Sequence, residues 1–112
     1  MVEKKIVFLI SSSPFSTMNN YEALRASLSI FDHQVTIIWR EEAVHFTKNS
    51  VEKTMTKPLL RVAKDMEIEM FVTNDDLKEK GIDQSHLEPN IKSIDYSDMI
   101  SILVSADIVI NF

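Results

Sequence analysis

Ile6-Val7-Phe8-Leu9-Ile10 is the stretch that most limits what this chain can become. Five consecutive apolar residues, two of them β-branched Ile and one Val, leave no polar side to face water. Such a run reads as a strand buried on both faces, the kind found in parallel sheets covered by helices. Ser11-Ser12-Ser13-Pro14 follows it directly. Where a strand of this type hands over to a helix, an open α/β fold has its crevice, and ligands bind there if anywhere.

The rest of the chain repeats the alternation. Tyr21, Leu24, Leu28 and Phe31 form one helical stripe, and Asn19 with Glu22 three residues on is a capping-box arrangement. Val35 to Trp39 is a second strand, and residues 41–46 fit a short helix with its acids at the positive end. Residues 47–57 are rich in Thr, Lys and Ser and predict no element. Pro58 suits the first turn of a helix that turns Leu59, Ala63 and Met66 to the core. Residues 68–73 make a third strand, and Asn74 is placed to cap a short helix. Gly81 stands where the left-handed residue of a Schellman stop belongs, with Leu77 and Ile82 as its hydrophobic pair. Residues 83–87 add a turn and 91–94 a fourth strand. Met99, Ile102, Leu103 and Ala106 mark a last helix opened by Asp95 or Ser97, and residues 108–110 a fifth strand. This order predicts one α/β domain over residues 1–112: a three-layer α/β/α sandwich around a five-stranded, mainly parallel sheet. Strand order is not readable from it.

Composition removes whole classes of function. A net charge of −5 argues against general nucleic-acid binding, which needs Lys and Arg against phosphates. With no Cys there is no disulfide, thiolate metal site or cysteine nucleophile. A single Gly cannot supply a dinucleotide fingerprint or a P-loop. No apolar run approaches the ~20 residues of a membrane span, and Met1-Val2-Glu3-Lys4 leads straight into a strand, so the expected compartment is the cytoplasm.

Parallel strands deliver their C-terminal ends to one edge, which gathers Ser11, Ser12, Ser13, Arg40, Glu41, Glu42, Thr73, Asn74, Asp75 and Asp95. The hydroxyl loop invites comparison with the phosphate loops of flavodoxin-type folds. Those loops rely on glycine, however, and here Pro14 and Phe15 stiffen and fill the turn, so a plain turn with solvated hydroxyls is the weightier reading. Asp75 and Asp76 stand where a response regulator accepts phosphate, but serines occupy the place of its Mg²⁺-binding acids, and two acids in a first helical turn suffice as explanation. His33, His45 and His86 have no ligand spacing. No G-x-S-x-G elbow occurs, and nothing sets a nucleophile beside a base. Met55, Met66, Met70 and Met99 read as packing, and Trp39 as a half-buried core residue. No cofactor or metal is expected.

Five motifs arrive in order along nearly the whole length. They are Phe8-Leu9-Ile10-Ser11-Ser12-Ser13-Pro14-Phe15-Ser16-Thr17, Tyr21-Glu22-Ala23-Leu24 with Leu28, Glu42-Ala43-Val44, Leu77-Lys78-Glu79-Lys80-Gly81-Ile82, and Ala106-Asp107-Ile108-Val109-Ile110-Asn111-Phe112. Together they resemble the DsrE/DsrF-like family of small sulfur-relay proteins, and look most similar to its DsrF or TusC type of subunit. The chain departs from that family at Phe15-Ser16, where a Gly often precedes the Thr, and at Ala43, where the family has Gly. The resemblance implies an α/β/α sandwich. It also implies a persulfide-carrying cysteine just after the third strand, a position that falls at Thr73 or one residue either side. An alcohol oxygen cannot undertake sulfur–sulfur exchange. The implied role is therefore that of a non-catalytic, oligomeric binding or structural subunit in sulfur transfer, partnered by its own copies or by cysteine-bearing relatives. The alternative is a small-molecule or anion-binding protein, phosphate- or flavin-like in ligand, that uses Ser11, Ser12, Ser13, Thr73 and Asn74.

Overall fold

A computed structural model describes residues 3–15, 17–30, 32–51 and 53–112. Phe31, expected on the first helical stripe, lies outside the described residues, as do Met1, Val2, Ser16 and Glu52.

Five strands, β1 (Lys5–Ile10), β2 (Gln34–Trp39), β3 (Glu69–Thr73), β4 (Lys92–Ile94) and β5 (Ile108–Asn111), form one sheet in the order β4-β3-β2-β1-β5. Every pairing is parallel. Four helices connect them: α1 (Asn19–Leu28), α2 (Lys57–Asp65), α3 (Asn74–Glu79) and α4 (Tyr96–Ser105). A 3-10 helix over Glu41–Thr47 and a 3-10 turn over Gln84–His86 complete the outline. This is the expected α/β fold.

The strand order decides which face each helix covers. From β1 to β4 the chain steps to the next position in one direction, and right-handed crossovers then put α1, α2 and α3 on a single face. The connection from β4 to β5 runs back across the sheet, so α4 lies on the other face. The core divides accordingly. Ile6, Phe8, Ile10, Ile37, Trp39 and Val72 pack with Ala23, Leu24, Leu60, Ala63 and Leu77. Val7, Leu9 and Ile38 pack with Met99 of α4, aided by half-buried Ile102 and Leu103. β1 is thus buried on both sides, as its unbroken apolar run requires.

Helix boundaries follow local chemistry, with two corrections to the expected caps. Asn19 and Asn74 are the first residues of α1 and α3, not their caps. Before α1, the Thr17 hydroxyl accepts the Asn19 N–H at 3.3 Å, which frees the Asn19 side chain to donate to Ser12 Oγ at 3.0 Å. Asn74 Oδ1 instead accepts from Gln84 Nε2 at 2.7 Å. α4 opens as expected, with the Asp95 carboxylate accepting the Asp98 N–H at 2.9 Å. α3 stops at a complete Schellman motif. Ile82 N–H bonds Leu77 C=O at 2.9 Å and Gly81 N–H bonds Lys78 C=O at 3.1 Å, with Gly81 at φ +68°. The end of α2 has the same two bonds, from Ile68 to Ala63 and from Glu67 to Lys64, each 3.0 Å. There the left-handed residue is Glu67, at φ +60°.

Two packing expectations need correction. Trp39 is fully buried, not half-buried, because its ring stacks on Phe46 at 5.4 Å and its indole N–H reaches a buried acceptor, Asn20 Oδ1, at 2.9 Å. Met55 is 59 % exposed, since the 47–57 segment packs through Lys53 and Thr56 and leaves Met55 on the outside.

Candidate functional site

The C-terminal ends of the strands do meet at one edge, but the residues expected there fall into two groups. Ser11, Ser12 and Ser13 leave β1 beside the start of α1. Ser11 N–H continues the β1–β5 ladder to the Phe112 carbonyl at 2.9 Å. Ser12 Oγ accepts from Asn19, and its carbonyl accepts from Asn20 Nδ2 at 3.0 Å. Ser13 Oγ accepts the Phe15 N–H at 3.1 Å, and its carbonyl takes the Thr17 hydroxyl at 3.3 Å. The hydroxyls and carbonyls of Ser12 and Ser13 thus hold the loop to itself and to α1. The chain runs from Ser12 through Asn20 to the Trp39 indole, so the loop is tied to the core.

The second group is built around a residue that had been assigned only to a helix N-terminus. Asp76 is buried, at 3 % exposure. Its Oδ2 accepts the hydroxyl of fully buried Thr73, and its Oδ1 accepts the Tyr96 hydroxyl at 2.7 Å. The backbone N–H of Glu41 donates to the same carboxylate, and the Arg40 charge lies near it. One side chain therefore joins the C-terminal ends of β2, β3 and β4. Glu41 sits at φ +52°, a left-handed backbone that costs a non-glycine residue about 1 kcal/mol. The donated N–H is what that conformation delivers.

The electrostatics follow from these contacts. Burial pushes the Asp76 carboxyl upward, but the hydrogen bonds from Thr73, Glu41 and Tyr96 together with the Arg40 charge outweigh it and leave the group below the usual aspartate range. The bond to Asp76 in turn raises the Tyr96 phenol. Glu42 is held down by its hydrogen-bonded ion pair with Lys80, which ties the 3-10 helix to the end of α3. Burial lowers His45, whose ring lies 5.8 Å from that of Phe15. Among the described residues, Arg40 Nε and His45 Nδ1 are buried without a hydrogen-bond partner, and no group of three His, Asp or Glu side chains gathers to hold a metal.

Chemically, this cluster is a polar network in which both Asp76 carboxylate oxygens accept hydrogen bonds and the Thr73 hydroxyl spends its proton on one of them, while Arg40 Nε beside it is left without a hydrogen-bond partner. The edge brings together Thr73, Asp76, Tyr96, Arg40 and Glu41. It leaves Asn74 outside, bonded to Gln84, and Ser11, Ser12 and Ser13 in their own loop. Asp76 and Tyr96 were signalled by Thr73-x-x-Asp76, a capping-box spacing, and by the Tyr next to the cap of α4. A cleft of about 740 Å³ opens beside the serine loop, between Phe15, Met18 and Tyr21 and the 48–56 segment. Another of about 440 Å³ lies at the opposite, N-terminal end of the strands.

The comparisons with known proteins agree with this architecture. The chain matches the DsrE/DsrF-like family over residues 4–112. No curated protein matches its sequence. Among solved structures it is similar to the ychN protein from E. coli, with a TM-score of 0.85 at 16% identity over 97% of this chain and 99% of that one. It is also similar to MTH1491 from Methanobacterium thermoautotrophicum, a protein of unknown function, with a TM-score of 0.75 at 12% identity over 98% of this chain and 100% of that one. At those identities the likeness is one of fold.

Proposed function

Because the chain belongs to the DsrE/DsrF-like family, we propose that it is a cysteine-less subunit of a cytoplasmic sulfur-relay assembly. It supplies binding surface and architecture, while the sulfur is carried by cysteine-bearing relatives. The observation that carries this reading is Thr73. It stands at the end of β3, at or within one residue of where the resemblance puts the persulfide cysteine, it is 0 % exposed, and its hydroxyl is committed to Asp76. With no Cys anywhere in the chain, no other residue can take over sulfur–sulfur exchange. On this reading Thr73 serves a buried network that joins three strand ends, a structural use in place of a chemical one.

The test has two arms. Light scattering of the purified chain reads self-assembly, and co-expression with a cysteine-bearing DsrE-like relative from the same genome reads mixed assembly. The expected result is a species of more than one chain in at least one arm. A strict monomer that co-purifies with no such relative overturns the proposal.

A further inference from the structure

We infer that β5 is an interface at which two copies of this chain pair strand to strand, antiparallel, about a two-fold axis through Val109. The inference rests on the assembly reading above and names the surface and the partner.

β5 is an edge strand, and it is bare on both faces as well as along its outer side. Ile108, Val109 and Ile110 are 41 %, 38 % and 37 % exposed. The register explains why. Ile108 and Ile110 pair with Ile6 and Phe8 and so point to the α1–α2 face, but the helices there connect β1 onward to β4, away from β5. Val109 pairs with Val7 and points to the α4 face. A single helix about 10 Å wide must cover that face of a five-stranded sheet, which spans ~19 Å between its outer strands. α4 itself stays apolar on its outer side, with Ile100 55 % and Val104 80 % exposed.

The two edges of the sheet are treated differently. β4 has only three residues and carries exposed Lys92, the usual protection against pairing with another chain. β5 has neither Lys nor Pro, and between Tyr96 and Asn111 the only charges are Asp98 and Asp107.

The pattern on β5 selects its partner. Ile108-Val109-Ile110 is a palindrome, so an antiparallel partner centred on Val109 sets Val against Val on one face and Ile against Ile on the other. The next pair outward sets Asp107 against Asn111, an acceptor against an amide donor, and no like charges oppose each other. A two-fold axis normal to the sheet keeps both α4 helices on the same face. A second copy of this strand meets all of these pairings at once.

The chain has no native Cys, so one introduced thiol reports on the axis alone. Opposed Cβ atoms in an antiparallel pair lie about 4.5–5.5 Å apart, close to disulfide reach. Under diamide, Val109→Cys is expected to cross-link to dimer. Val62→Cys, on α2 and 43 % exposed, serves as the matched control and is expected to remain mostly single-chain. In sedimentation at micromolar concentration, Val109→Lys is expected to halve the mass, from twice to once the 12.9 kDa chain. Its circular dichroism and its melting are expected to remain those of a folded chain. Val62→Lys is expected to keep the wild-type mass. If Val109→Lys fails to fold, the cross-linking arm decides. Wild-type assembly that survives Val109→Lys, or equal cross-linking of the two cysteine variants, overturns the β5 interface and leaves the assembly reading standing. A wild-type monomer that still binds a cysteine-bearing relative overturns the self-pairing alone. A wild-type monomer that binds none overturns both.

Discussion

Removing the Asp76 carboxylate tests whether the strand-end cluster holds the fold together. Asp76→Ala deletes the acceptor of three hydrogen bonds, from Thr73, Tyr96 and the Glu41 N–H, and leaves the buried Thr73 hydroxyl without its partner. Hydrogen bonds to charged groups contribute ~1.5–3 kcal/mol each but do not add fully, and an orphaned buried donor costs ~1–3 kcal/mol. The expected destabilisation is about 3–4 kcal/mol, a large share of the ~5–15 kcal/mol that holds a domain of this size. At ~4–8 °C per kcal/mol this lowers Tm by roughly 12–32 °C. Asp76→Asn keeps the shape and one acceptor oxygen and loses the charge, for which ~1–2 kcal/mol is expected. Urea titration followed by circular dichroism measures both.

The pH dependence of the same variants tests the sign of the electrostatics. Hydrogen bonds and Arg40 hold the folded carboxyl below its unfolded value of ~3.9 despite burial. A depressed folded pKa contributes stability that is fully present above the unfolded value and is lost as pH falls through the folded one. The gap between wild type and Asp76→Asn should therefore be flat from about pH 5 to 8 and narrow below about pH 4. A gap that widens on acidification would show burial winning over the hydrogen bonds. That outcome, or a cost under about 1 kcal/mol for Asp76→Ala, refutes the reasoning.

Four further outcomes follow from particular residues. Gly81→Ala should cost about 1 kcal/mol from backbone strain alone, because nothing lies within 4 Å of the added Cβ, while Glu67→Gly at the matching position after α2 should gain up to ~1 kcal/mol; thermal melts read both. Thr73→Cys should react with a thiol reagent about 100-fold slower in the native state than in urea, since burial and the Asp76 carboxylate both oppose the thiolate; equal rates would show the position to be open. Asn20→Ala strands the indole N–H of the only Trp, and should cost ~1–3 kcal/mol and alter the Trp39 emission at 0 % exposure; an unchanged spectrum and Tm would refute the bond. Calorimetric titration with inorganic phosphate and with FMN should give no heat at the serine loop, where the Ser11 and Phe15 N–H groups are already bonded within the protein and Pro14 has none to donate.

What the sequence disclosed, and what it hid, divides along a physical line. Apolar periodicity is a local signal, and it located the strands, the four helices and the clean stop at Gly81. The identical stop after α2 was invisible because Glu67, and not a glycine, occupies the left-handed position. Asn20 and Ser27 lie on the buried face of α1, where their polarity hid them from an apolar stripe. Asn20 is buried because Trp39, 19 residues away, needs an acceptor. Asp76 is the same case at larger scale: two adjacent acids in a first turn look alike in sequence. One of them is turned inward by partners just after β2 and on α4, and strand order, a non-local fact, brings those partners to it.

The same non-local fact reassigns the apolar run at the C-terminal end. Ile108-Val109-Ile110 and Ile6 to Ile10 have the same apolar chemistry and both read as strands, yet β1 lies inside the sheet and β5 at its edge. Unbroken β-branched residues at an edge without Lys or Pro lack the usual protection against pairing with another chain. For β1 the covering surface comes from the chain itself. For β5 the proposed cover is the same strand of a second copy. At the strand ends Thr73 and Asp76 are buried and bonded to each other, while the edge strand is left open. Selection on a subunit whose task is assembly would leave that pair of features, a closed chemical site and an uncovered pairing edge.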